Sequence, residues 1–160
     1  MQHPVVADAL SRRRHDARRS SHATGIASAL ANSRLFGQCS RRELKAVAKA
    51  AKVRTVPRGT FLMNEGEPGR TMFVILSGQV RVTRKGRKVA SLGPGEAVGE
   101  LAVISAAPRT ATVYADTDLE VAEISKRAFS DLIEEVPSFS RKLLEALAER
   151  VRELDSRVFA

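Results

Sequence analysis

Residue types able to do chemistry cluster in one stretch: Gly95-Glu96-Ala97-Val98-Gly99-Glu100-Leu101-Ala102-Val103-Ile104-Ser105-Ala106-Ala107-Pro108-Arg109-Thr110-Ala111-Thr112-Val113. Gly99 permits close backbone approach. Glu100 begins a turn of apolar, helix-permissive residues that ends near Ser105. A helix start offers free amide N–H groups and a positive dipole end, which together suit a phosphate. Arg109 follows Pro108 where the sequence becomes strand-like, and a guanidinium there can hold two phosphate oxygens at once, as a lysine cannot. Glu100 beside a phosphate is repulsive unless it accepts a hydrogen bond from something attached to that phosphate. A ribose hydroxyl serves. One carboxylate, one guanidinium and several amides describe a site for a sugar phosphate.

Other chemistries are poorly supplied. The single cysteine, Cys39, excludes an intramolecular disulfide, a Cys-ligated zinc site and a self-contained iron–sulfur cluster. All three histidines, His3, His15 and His22, stand in the first 22 residues, which excludes a histidine-based centre in the body. No nucleophile–base pair is evident, and Glu100 acting as a general base on a cyclic phosphate would want a metal that this inventory does not supply. A non-catalytic module is expected, with no cofactor.

The elements that must position this stretch come from a chain of 160 residues, 43% hydrophobic and 28% charged, enough for one packed domain and an appendage. The net charge of +9 is uneven, because residues 1–34 hold six arginines and two aspartates. Residues 1–25 read as a basic, flexible arm, Ser11-Arg12-Arg13-Arg14-His15-Asp16-Ala17-Arg18-Arg19-Ser20-Ser21. Such an arm suits nucleic acid, an anionic membrane or an acidic partner. Its few arginines lack interleaved aromatics for stacking, which favours a solubilising tail. No apolar run approaches the ~20 residues of a membrane span, and no signal-peptide core precedes the arginines. The expectation is a soluble, cytoplasmic protein.

From Gly25 to Ala51 the spacing is helical, with Ser40 and Glu43 placed as a capping box. Residues 52–125 then alternate short β-rich runs with glycine and proline: Val53–Val56, Thr60–Met63, Met72–Leu76, Gln79–Thr83, Val89–Leu92, Thr110–Ala115 and Leu119–Ile124. That pattern predicts an antiparallel sandwich, roll or barrel with Met72–Leu76 central. In the hairpin Arg81–Lys88, Val82 and Val89 are expected inward, with the five cations in solvent or touching nucleic acid. Solvent is favoured. Helical spacing returns at 126–135 and 138–156. There Leu144, Leu147, Val151, Leu154 and Val158 step by three and four, either packing on the domain or forming a dimer seam.

At this spacing, within a β-rich domain flanked by helices, Val98–Val113 resembles the phosphate-binding cassette of the cyclic nucleotide-binding family. The shared pattern is a small apolar residue, Gly-Glu-Leu-Ala, a short interval, then Pro-Arg-Thr-Ala-Thr-Val. Gly66-Glu67, Met72-Phe73-Val74-Ile75 and Ser77-Gly78-Gln79-Val80 extend the likeness, which runs roughly from Leu35 to Leu154. The resemblance implies an α+β fold over 26–160: an antiparallel, jelly-roll-like β-roll with N-terminal helices, a short cassette helix and two C-terminal helices. It implies a 3′,5′-cyclic nucleotide ligand, cAMP favoured over cGMP. Glu100 would accept from the ribose 2′-hydroxyl and Arg109 would pair with the cyclic phosphate. Amides at Leu101, Ala102 and Ala111 would complete the cradle, with Gly99 giving clearance. Thr110 stands where members differ and does not settle the base. Val74 and Val89 are candidate purine or ribose contacts, with core packing the alternative. Arg150, Arg152 and Phe159 are candidate lid residues.

The 23 residues after Pro137 suffice for one helix, so the helix-turn-helix of similar bacterial regulators is not expected in this chain. Nucleic acid is therefore not expected as a partner without a separate DNA-binding domain. The expected role is a sensor that relays occupancy through its last helix to an unidentified effector, or to a second copy. The alternative is a nucleotide-independent scaffold acting through the arm or that helix.

Overall fold

The computed structural model describes residues 25–159, with side chains through residue 156. The basic arm therefore lies, all but Gly25, outside the described residues, as does the side chain of Phe159. Helix α1 (residues 25–31) and α2 (Arg41–Ala50) precede β1 (Lys52–Val56), β2 (Phe61–Met63), β3 (Thr71–Ser77), β4 (Val80–Arg84), β5 (Arg87–Leu92) and β6 (Ala97–Val98). Then come α3 (Glu100–Ile104), β7 (Thr112–Ala115), β8 (Leu119–Ser125), α4 (Lys126–Glu135) and α5 (Pro137–Phe159). The strands form two four-stranded sheets, β1-β8-β3-β6 and β2-β7-β4-β5, antiparallel at every pairing. The fold is an α+β β-roll with helices at both ends.

The uninterrupted apolar run in β3 has a direct cause. Successive side chains of a strand point to opposite faces, and both faces of β3 are covered. Phe73 and Ile75 pack between the sheets with Val56, Val80, Val98, Val113 and Val121. Met72 and Val74 pack under the helices with Leu30, Phe36, Val47, Ile124, Phe129 and Phe139. Within that second core Phe139 stacks on Phe36 at 5.9 Å and meets Phe129 edge-on at 5.8 Å, which fixes the start of α5.

The capping box at α2 forms, with Ser40 Oγ accepting from the Glu43 amide and Glu43 Oε1 accepting from the Ser40 amide. Glu43 is only 3% exposed and also accepts from Lys142 Nζ of α5 at 2.5 Å. Burial raises its pKa, but the donors Lys142 and Ser40 outweigh that and hold it at about 2.

One inward residue is corrected. Val89 is 53% exposed, because the β4–β5 register runs Val82↔Ala90 and then Thr83↔Lys88, leaving Val89 as the extra residue of a bulge. A bulge breaks the period-two alternation on which its assignment rested.

Candidate functional site

Arg109 is positioned by backbone before its side chain acts. Its amide donates to Glu67 O at 2.9 Å and its carbonyl accepts from the Gly66 amide at 2.8 Å, beside a Pro68↔Pro108 bridge. The side chain then runs over two glycines. A Cβ on Gly69 would fall on Arg109 Nε. One on Gly99 would come 2.5 Å from Nη1, and Gly99 also sits at φ +78°, where a side chain is strained. Arg109 Nη1 donates to Thr71 O at 2.7 Å and more weakly to Gly99 O at 3.4 Å, while Nη2 donates to Thr71 Oγ1 at 3.2 Å.

Arg109 is 8% exposed as a residue, and burial lowers its pKa. Arginine nevertheless stays protonated in proteins. Among the described residues its hydrogen-bond partners are neutral oxygens. A buried cation held only by neutral acceptors is electrostatically incomplete. An anion beside it would complete it.

Glu100, the first residue of α3, is 7% exposed. Its carboxylate is already engaged: Arg150 Nη1 of α5 donates to Oε1 at 2.5 Å. Glu100 and Arg150 both border a cleft of about 710 Å³, whose wall includes Leu35, Leu92, Ala97 and Leu147. Arg109 is not part of that wall, so of the Glu100–Arg109 pair only Glu100 meets the cleft.

The other sequence-derived residues fall as follows. Leu101 is exposed, and the Ala102 amide donates to Gly99 O at 3.2 Å. Thr110 is exposed and Ala111 buried just before β7. Val74 is fully buried in the helical core, and Val89 stands on its bulge. Neither lines the cleft. Arg152 does, and it pairs with Glu149 one turn back on α5 at 3.0 Å. Sequence reasoning missed Thr71 and Gly69. Gly69 is readable as a turn residue, but nothing local says that an arginine forty positions on crosses it.

The sequence pattern described as the cyclic nucleotide-binding domain matches residues 53–136, and the chain belongs to that family. It is 30% identical over 128 residues to the CRP-like cAMP-activated global transcriptional regulator of Mycobacterium tuberculosis, covering 77% of this chain and 57% of that protein. It is 39% identical over 93 residues to the cAMP-dependent protein kinase regulatory subunit of Yarrowia lipolytica, covering 57% of this chain and 25% of that one. The chain thus spans little more than half of the first relative and a quarter of the second. Among solved structures, the N-terminal domain of a transcriptional regulator from Streptomyces coelicolor superposes with a TM-score of 0.73 at 27% identity, covering 80% of this chain and 95% of that one. A cyclic nucleotide-binding domain from Methylobacillus flagellatus gives 0.71 at 29% identity, covering 86% and 83%. Among the described residues no helix is long and apolar enough to cross a membrane.

Proposed function

We propose that this chain binds a 3′,5′-cyclic nucleotide, cAMP in preference to cGMP, as a non-catalytic sensor. The observation that carries the reading is Arg109: a buried guanidinium, held at fixed geometry by neutral oxygens, directly beside the start of α3. The cyclic phosphate supplies the missing negative charge. Amides at Leu101 and Ala111 complete its cradle, joined by that of Ala102 once it turns from Gly99 O, and Glu100 accepts from the ribose 2′-hydroxyl. The sugar and purine then extend from Glu100 along the cleft toward α5, where Arg150 and Arg152 stand.

α5 is the readout. Its first half is anchored by Phe139 and Leu143, whereas Leu144, Val151 and Leu154 farther along are exposed. Those residues keep heptad spacing, which supports pairing with a second copy of the chain as the output that nucleotide occupancy biases.

The test is thermal unfolding with cAMP, cGMP and 5′-AMP as separate additions. A ligand at a hundredfold over its Kd stabilises by about 2.7 kcal/mol, a rise on the order of 10 °C for a domain of this size. The reading predicts that rise with cAMP, a smaller one with cGMP and none with 5′-AMP. An unchanged midpoint in all three favours the scaffold.

A further inference from the structure

We infer that Arg150 is an internal competitor for the ribose at Glu100, so that α5 must release this carboxylate before a cyclic nucleotide is fully seated. The inference rests on the nucleotide-binding reading above and adds an affinity-setting residue to it.

A carboxylate only 7% exposed needs donors, and among the described residues the one Glu100 has is the guanidinium of Arg150. The proposed ligand offers a second donor, the 2′-hydroxyl, to the same group. The two halves of the site therefore differ in what binding must displace. Arg109 keeps its acceptors, Thr71 and Gly99, and gains a phosphate. Glu100 must exchange partners.

The helix that carries Arg150 is built to let go. Its buried anchors, Phe139 and Leu143, lie in the first two turns, while Leu144, Val151 and Leu154 bury little. Beyond those anchors α5 is tied to the body by the partly buried Leu147 and by Arg150–Glu100 at 2.5 Å and Glu153–Arg34 at 3.6 Å. The Arg150 side chain is 59% exposed, and both members of the Arg34–Glu153 pair are more exposed than Glu100. The Arg34–Glu153 pair, open to water at both ends, is weak and salt-screened, and the other tie is open to water at its Arg150 end. A segment held this way opens at lower cost than the buried start of the helix. The apparent affinity is then the intrinsic one reduced by the fraction of molecules in which Glu100 is free.

Calorimetric titrations of wild type, Arg150→Lys and Arg150→Gln with cAMP and 2′-deoxy-cAMP test this. Removing the competitor should tighten cAMP binding by roughly three- to tenfold in Arg150→Gln, with Arg150→Lys between. The 2′-deoxy ligand cannot use Glu100, so its affinity should not improve. Equal tightening of both ligands would mean that Arg150 merely stiffens α5, and weaker binding of both would make it a lid over the base. Either result overturns the competitor while leaving the nucleotide reading intact. No binding of either ligand to wild type overturns both. Hydrogen exchange supplies a second readout: residues 144–154 should exchange faster when cAMP binds wild type, and added protection there would contradict release.

Discussion

Arg109 and Glu100 sit nine residues apart, are almost equally buried and face opposite demands. Arg109 is fixed by backbone bonds on both sides, crosses two glycines and ends on neutral oxygens of Thr71 and Gly99. Glu100 depends on a side chain from the other end of the domain. Buried charge can thus be arranged in two ways. One group is preorganised and waits for its counter-charge, so binding there costs little reorganisation. The other is satisfied in advance by Arg150 of α5, so that on the proposal above binding there requires an exchange of partners.

The comparison can be broken most severely from the Arg109 side. Gly69→Ala puts a methyl where Arg109 Nε lies, so the guanidinium must leave its fixed position. Its exposed loop should still fold, and cAMP affinity should fall by tens of fold or more. Normal affinity in that variant would show that the arginine's path is not what preorganises it. Glu100→Ala should cost less, on the order of tenfold, because it removes one hydrogen bond and leaves the phosphate anchor. It should also erase the preference for cAMP over 2′-deoxy-cAMP, and a retained preference would place the hydroxyl elsewhere.

The smallest effect concerns another pair that α5 makes, Lys142–Glu43. With Glu43 held at about 2 rather than the ordinary 4.5, its charged form stabilises the fold. That contribution is complete above about pH 4.5 and is lost as pH falls toward 2. In Glu43→Gln the denaturation midpoint should depend less on pH across that window. An unchanged acid slope would mean that Lys142 and Ser40 do not hold the carboxylate.

Much of this was legible in the sequence, for physical reasons. Glycine and proline breaks and β-branched runs locate every strand except β6, whose two residues are too short to carry a period. The capping box is local and so visible. The cassette places Glu100 and Arg109 together because a short helix and a turn leave the chain little freedom between them. What escaped is what tertiary contact creates. Thr71 meets Arg109 across 38 residues, Arg150 meets Glu100 across 50, and Lys142 meets Glu43 across 99. Val89 escaped differently: a bulge shifts alternation by one residue without any local mark. The α5 stripe was visible as spacing, but only burial shows that Phe139 and Leu143, outside the heptad, and Leu147 within it do the packing, while Leu144, Val151 and Leu154 stay exposed.

The central claim is that a fixed, buried Arg109 makes this roll a cyclic nucleotide site. Calorimetric titration of cAMP into wild type and Arg109→Ala, with both shown folded and free of co-purified ligand, tests it most directly. The account predicts saturable one-site binding in wild type and a loss of at least a hundredfold in Arg109→Ala, since that variant leaves the phosphate unpaired in a buried site. Equal affinity in the two proteins would contradict it.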